Sequence, residues 1–331
     1  MMNLIPAKIS ALSAYVPSRR LSNFDLEQMV ETSDTWLVER TGIRRRHIVD
    51  PGTASSDLAV EAAKKLLAEN AIEAASLEAI FVATVTPDMM FPATACLVQR
   101  RLGAKGAWGY DISAACTGFI YAVQTAVKFV ESGAHKRVLV IGVDVMSSIV
   151  DYTDRSTCVL FGDGAGAVLV EPATEPNGFI DFMHEIDGTG CCSLYMPAGG
   201  SRHPTSYETV KNRMHYVRLE GQAVFKYAVR KLVEVSERLL QRNGYSVNDV
   251  MLFVPNQSNR RIVMAVAERL GLGPERFIVN IDEYGNTAGA SVPLALHTAQ
   301  QQKRLKKGDL VLLASVGAGF TTGAALLRWA F

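Results

Sequence analysis

Asp111-Ile112-Ser113-Ala114-Ala115-Cys116-Thr117-Gly118-Phe119 is the stretch on which the fold turns. Small residues lead into Cys116. An apolar run of helical character follows, through Phe119, Ile120, Ala122, Val123, Ala126, Val127, Phe129 and Val130. The pattern predicts a thiol at the first turn of a largely buried helix. Free N–H groups and the positive end of the helix dipole favour a thiolate there. A cysteine taken alone is more often a small buried apolar residue, so the rest of the chain decides between the two readings.

Working outward, the segment has a partner. Asn286-Thr287-Ala288 stands 170 residues beyond Cys116-Thr117-Gly118, and the strand-like run 247–254 stands 170 residues beyond 77–84. Further strand runs follow at 137–142 and 309–314. Each half closes on a glycine-rich segment and a last strand, at 161–170 and 317–327. Several matches in one order at nearly one offset predict two copies of a βαβ-rich unit. Pro172, Pro176 and Gly178 break the pattern. The expected halves are therefore 1–173, carrying the cysteine, and 174–331, carrying two asparagine motifs. Neither half can cover its sheet alone, so the two are expected to pack around a shared core.

Composition narrows the function. The 331 residues are 48% hydrophobic, ample for a core, and 34 Lys and Arg balance 33 Asp and Glu for a net charge of +1. That balance gives no reason to expect nucleic acid or a membrane surface as partner. Pro6, Lys8 and Pro17 interrupt the N-terminal region, which carries no secretory signal or membrane span, so a cytoplasmic location is expected. The five cysteines, 96, 116, 158, 191 and 192, form no CxxC pair and are expected as free thiols with no metal bound. Gly162-Asp163-Gly164-Ala165-Gly166 is not a dinucleotide fingerprint, because a strand-like run, Ala167-Val168-Leu169-Val170, follows it instead of a helix. It is read as a tight turn between two strands. No Gly-x-Ser-x-Gly elbow is present, which argues against a serine hydrolase.

The remaining motifs carry a resemblance. They are Asp34-Thr35-Trp36-Leu37-Val38-Glu39-Arg40-Thr41-Gly42-Ile43-Arg44, the Cys116 segment, Thr153-Asp154-Arg155 before 161–167, Gly221-Gln222-Ala223-Val224-Phe225-Lys226, Val254-Pro255-Asn256-Gln257-Ser258-Asn259, and Gly285-Asn286-Thr287. In this order, over nearly the whole chain, they resemble the thiolase superfamily and, within it, the β-ketoacyl-acyl-carrier-protein synthase III family. The resemblance implies an α/β thiolase fold of two duplicated halves packed in five layers (αβαβα), and a homodimer. It implies a decarboxylating condensation of an acyl-coenzyme A with malonyl-acyl carrier protein through an acyl-cysteine, the step that starts fatty-acid synthesis. No cofactor is expected, coenzyme A being part of substrate and product. Two alternatives stay open: a condensing or acyl-transfer enzyme of secondary metabolism, and an idle member that only binds acyl-coenzyme A or carrier protein.

One departure outweighs the matches. The family pattern in the second half reads Pro-His-Gln-x-Asn, and Asn256 stands at the histidine position. Either the histidine was deliberately replaced, the favoured reading because every neighbouring position keeps the pattern, or the chain is a natural divergent member. The six histidines, 47, 135, 184, 203, 215 and 297, lie in no motif that would substitute.

By the resemblance, Cys116 is the nucleophile, and the backbone N–H groups of Cys116 and Ala318 hold the oxyanion. Asn286, with Asn256 in place of the histidine, holds the enolate oxygen. Trp36 and Arg155 are expected to sandwich the adenine of coenzyme A. Arg40 and Thr41 would meet the nucleotide's polar edge, and Gly221 and Asn259 the pantetheine arm. Lys226, Arg230, Arg260 and Arg261 are expected as a basic rim for the carrier protein; an ordinary solvated face is the competing reading. Phe91 matches a residue that enters the partner's acyl pocket, with a core phenylalanine as the alternative.

Overall fold

A computed structural model describes residues 5–331; residues 1–4 of the expected N-terminal half lie outside the described residues. The first part of the chain supplies strands β1 (Ala7–Tyr15), β2 (Arg20–Ser22), β3 (Arg45–His47), β4 (Ala79–Ala83), β5 (Trp108–Ile112), β6 (Val138–Val145) and β7 (Asp163–Pro172). The second supplies β8 (Gly178–Ile186), β9 (Leu194–Tyr195), β10 (Arg218–Leu219), β11 (Leu252–Pro255), β12 (Leu310–Gly317) and β13 (Thr321–Arg328). The longer helices are α1 (Asp34–Thr41), α2 (Ser55–Glu69), α3 (Thr94–Leu102), α4 (Gly118–Glu131), α5 (Gly221–Arg242), α6 (Arg260–Arg269) and α7 (Ser291–Gln301).

Two sheets carry the architecture, in the orders β1-β7-β6-β4-β5 and β11-β12-β13-β8. Their pairings repeat. β4 runs parallel to β6 as β11 does to β12, β6 antiparallel to β7 as β12 to β13, and β7 antiparallel to β1 as β13 to β8. The counterpart of β5 in the second sheet is reduced to one parallel bridge, Phe253 to Phe277. Helices α2 and α3 cover the outer face of the first sheet, α4 and α7 lie between the sheets, and α5 and α6 cover the outer face of the second. The expected five layers are present.

The central strands are apolar without interruption because both of their faces are buried. Along β6, Val138 and Val140 enter the core shared by the two sheets, while Leu139, Ile141 and Val143 face α2 and its neighbours. Along β12, Val311 and Leu313 enter the same shared core, while Leu310, Leu312 and Ala314 face α5 and α6.

The structure corrects the register between the halves. Ala79 pairs with Val138, and Leu252 with Val311. Helix α4 begins at Gly118 and α7 at Ser291. Ala115 and Ala288, just ahead of them, both take left-handed backbone, with φ of 47° and 46°. Every one of these matches lies 173 residues apart, so the counterpart of Cys116 is Gly289 and not Asn286. Polar likeness between the segments masked the shift; backbone position reveals it.

A second correction concerns Gly162–Gly166. Asp163 to Gly166 lie inside β7 and make no turn. A Cβ on Gly166 would sit 2.6 Å from the Pro293 Cβ, and one on Gly164 3.0 Å from a Leu294 methyl. The glycines let α7 lie directly on the strand. The matching segment of the second half, Gly317 to Phe320, does make the turn between β12 and β13.

Candidate active site

Local backbone places the thiol. Ala115, in left-handed conformation, turns the chain at the end of β5, and a short 3-10 turn, Ala115–Thr117, carries Cys116 into the start of α4. Such a conformation costs an alanine about 1–3 kcal/mol and is concentrated at functional sites. The turn is held from the second half. Ser315 Oγ donates to the Cys116 carbonyl at 2.8 Å, and Thr117 Oγ1 and Thr321 Oγ1 lie 2.5 Å apart. A Cβ on Gly317 would stand 2.9 Å from the Ala114 carbonyl and 3.0 Å from the Cys116 nitrogen. Glycine at 317 thus lets the end of β12 touch the Cys116 backbone.

Cys116 sits where two clefts meet. One, about 190 Å³, is lined by Gly221, Val224, Phe225, Asn259, Asn286 and Gly317 as well as Cys116. The other, about 150 Å³, is more apolar, with Val85, Met146, Ile149, Val217, Ala288 and Ala318 around Cys116. A larger cleft, about 480 Å³, at Arg19, Asp50 and Tyr152 does not include Cys116.

Asn256 lies near the thiol, and its side chain favours the thiolate form. Asn256 is buried, and its Oδ1 has no partner among the described residues. Gln257 fixes the segment: its Nε2 donates to the Pro255 and Ile278 carbonyls, and its Oε1 accepts from the Asn280 N–H. Asn286 accepts from the Ala288 N–H at 3.0 Å through Oδ1, which leaves its NH2 group for the cleft. The structure brings Cys116, Asn256, Asn286 and Ala318 to one place.

Burial pushes the Cys116 thiol up to about 12, and the buried Asp144 carboxylate adds to the rise. The Asn256 contact and the Cys116 backbone N–H pull the other way and are outweighed. A helix N-terminus is worth at most about 2 kcal/mol, or about 1.5 pH units. That does not bring such a thiol down to neutrality. The expectation of a resting thiolate is corrected: this group is a thiol until a ligand or a base draws its proton.

Asp144 is the residue that sequence reasoning missed. It lies on β6, fully buried. Its Oδ1 accepts from the Thr84 and Thr86 hydroxyls and the Val85 and Thr86 N–H groups, and its Oδ2 from the Gly289 N–H at 2.8 Å. It thereby pins the loop after β4 to the turn that follows Asn286. Burial raises its carboxyl to about 6, against these donors. The available signal was an aspartate inside the unbroken apolar run Val138-Leu139-Val140-Ile141-Gly142-Val143-Asp144-Val145.

The outer residues divide. Arg155 lies over the Trp36 ring at 4.7 Å from its centroid, and its Nη1 donates to the Glu31 carbonyl. A planar base between them needs two stacking gaps, roughly 7 Å in all, so the expected sandwich is closed in this structure. Thr41 is buried, donating to the Leu37 carbonyl and accepting from the Ile43 N–H. Its expected place at a nucleotide edge is corrected: the hydroxyl is spent inside the fold. Arg40 is exposed. Asn259 caps α6 by accepting from the Arg261 N–H, and its amide donates to the Arg40 carbonyl. Lys226, Arg230, Arg260 and Arg261 surround one face, but Arg230 pairs with Glu234 at 3.8 Å, and Arg261 stacks over Phe225. Phe91 is 84% exposed, next to exposed Met89 and Met90, which rules out a core phenylalanine within this chain. No cluster of three or more His, Cys, Asp or Glu among the described residues is arranged to hold a metal.

The five layers and the duplicated sheets are those of the thiolase fold, the class of condensing and acyl-transfer enzymes. Residues 110–188 match the family 3-oxoacyl-[acyl-carrier-protein (ACP)] synthase III, and residues 240–329 match its C-terminal part. The β-ketoacyl-[acyl-carrier-protein] synthase III of Koribacter versatilis is 59% identical over 98% of each chain. The crystal structure of 3-oxoacyl-[acyl-carrier-protein] synthase III from Aquifex aeolicus VF5 matches with a TM-score of 0.91 at 43% identity, over 98% of this chain and 100% of that one. The priming β-ketosynthase of the R1128 polyketide biosynthetic pathway matches at 0.92 and 31%, over 100% of this chain and 98% of that one. The chain belongs to the 3-oxoacyl-[acyl-carrier-protein] synthase III family.

Proposed function

We propose that the chain takes an acyl group from acyl-coenzyme A onto Cys116 and condenses it with malonyl-acyl carrier protein, starting fatty-acid synthesis. The observation that carries this reading is the position of Cys116 where two clefts meet. The cleft past Gly221 and Asn259 admits the pantetheine arm, and the apolar cleft past Met146 and Ile149 takes the acyl chain.

In the first half-reaction the Cys116 sulfur attacks the thioester carbonyl, with the Cys116 and Ala318 N–H groups as oxyanion donors. The thiol proton ends on the departing coenzyme A sulfur. In the second, the malonyl carboxylate leaves as carbon dioxide and its electron pair forms an enolate. Asn286 and Asn256 donate to the enolate oxygen, the enolate carbon attacks the acyl carbonyl, and Cys116 departs. Asn256 donates a hydrogen bond but cannot become a cation or pass on a proton. The second half-reaction is therefore the slow one.

Trp36 and Arg155 grip the adenine after Arg155 swings off the indole. Lys226, Arg260 and Arg261 meet the acidic carrier protein, with Arg230 at their edge. The exposed run Met89-Met90-Phe91 supports a homodimer in which Phe91 closes the partner's acyl cleft. The likeness to a polyketide priming enzyme supports a second reading, an acyl starter step of secondary metabolism.

The test is product formation from acyl-coenzyme A and malonyl-acyl carrier protein. Asn256→His is expected to raise condensation by about 10²-fold or more, the scale of an oxyanion donor. If the chain already condenses as fast as that variant, two asparagines suffice and the assigned role of position 256 is wrong.

A further inference from the structure

Cys191 and Cys192 take no part in the chemistry above, yet they are placed as a pair. Both are exposed free thiols on the turn after Gly188–Gly190, and their sulfurs lie 3.7 Å apart. Neighbouring Cα atoms are about 3.8 Å apart, less than the roughly 4.4–6.8 Å that a disulfide favours. A direct bond between these sulfurs is therefore disfavoured. A bridge through one soft atom is not. One soft centre bonded to both sulfurs at about 2.3 Å each holds them less than about 4.6 Å apart, a limit that the 3.7 Å spacing already meets. No third His, Cys, Asp or Glu among the described residues is placed to complete a metal site. The geometry suits a centre that asks for only two protein sulfurs.

The pair also sits on a strap at the clefts. At one end, Asp187 and Phe320 exchange two backbone hydrogen bonds, at 2.8 and 2.7 Å. At the other, the Glu220 N–H donates to the Ser193 carbonyl, and β9 pairs with β10. Leu194, two residues past Cys192, lines both clefts at Cys116. Gly190 packs on Phe320 so closely that a Cβ there would fall 2.1 Å from the ring.

We propose that Cys191 and Cys192 form a chelating dithiol site for a trivalent arsenical, and that filling it stiffens the strap and slows access to Cys116. The step exchanges ligands without redox change. An organoarsenic oxide, R–As=O, gains two As–S bonds, and its oxygen leaves as water with the two thiol protons. The Cys191 sulfur holds the Cys192 thiol above its ordinary value, so the proton it needs to give is in place at neutral pH.

Phenylarsine oxide tests this on the full chain, read by intact mass and by the rate at which iodoacetamide alkylates the Cys116 peptide. The unaltered chain and Cys116→Ser are each expected to hold one arsenical, released by 2,3-dimercaptopropanol and not by a monothiol. Cys191→Ser and Cys192→Ser are expected to hold none. In the unaltered chain the arsenical is expected to slow Cys116 alkylation severalfold, and in Cys191→Ser to leave it unchanged. Retention by either serine variant, or none by the unaltered chain, overturns the site. Full occupancy with unchanged alkylation of Cys116 overturns the effect on access. Neither readout depends on condensation, so both stand or fall apart from the proposed activity.

Discussion

The turns at Ala115–Thr117 and Ala288–Ala290 are built alike and used differently. Each begins with an alanine in left-handed conformation, continues as a 3-10 turn and opens a helix buried between the sheets. In the first, the middle residue is Cys116, which meets two clefts. In the second it is Gly289, whose N–H donates to Asp144 and whose Cβ, were one present, would lie 3.0 Å from that carboxylate. Duplication gave one backbone device twice. One copy carries a reactive atom, and the other became the anchor that holds Asn286 beside it.

The strongest way to break this contrast is through Asp144. Asp144→Ala orphans several buried donors, and it is expected to destabilise the protein by more than about 3 kcal/mol in denaturant unfolding. A loss under about 1 kcal/mol would mean that the anchor is not one. The pH dependence sharpens the point. The native carboxyl is raised to about 6 from its ordinary 3.8. Between those values the native state holds a proton that the unfolded chain has released. The resulting contribution to stability is fully present below the ordinary value and is lost as pH rises through about 6. Asp144→Asn should remove this dependence; an unchanged profile would assign it elsewhere.

Next in size is the pH response of Cys116. With the thiol pushed up to about 12, its alkylation by iodoacetamide should climb about tenfold per pH unit from about 7 to 10 with no plateau. A plateau below about pH 9 would show that the helix terminus prevails over burial. Smallest are the paired alanines. Ala115→Gly and Ala288→Gly each remove a left-handed alanine, and each should stabilise by about 1 kcal/mol, net of the added freedom of the unfolded chain. Only Ala115→Gly should change the alkylation rate of Cys116. A change in both would dissolve the distinction between the turns.

The sequence carried the architecture well because doubly buried strands write themselves as apolar runs, as in β6 and β12, and because Cys116 and Asn286 lie in recognisable segments. It misplaced the duplication by three residues, since side-chain likeness says nothing of left-handed backbone at Ala115 and Ala288. It took Asp163 to Gly166 for a turn, because close packing of α7 on β7 and a reversal of the chain demand the same residue. It expected a low thiol pKa from the helix start alone; burial and Asp144 come from parts of the chain brought near only by folding. Thr41 and the closed Trp36–Arg155 stack were beyond it for the same reason.

The most direct measurement is intact-protein mass after incubation with acyl-coenzyme A, at about pH 7 and about pH 9, for the chain and for Cys116→Ser. The account predicts one acyl adduct, mapped to the Cys116 peptide, formed faster at the higher pH and absent from the serine variant. No adduct at either pH, or an adduct carried by Cys96, Cys191 or Cys192 and kept in Cys116→Ser, would contradict it.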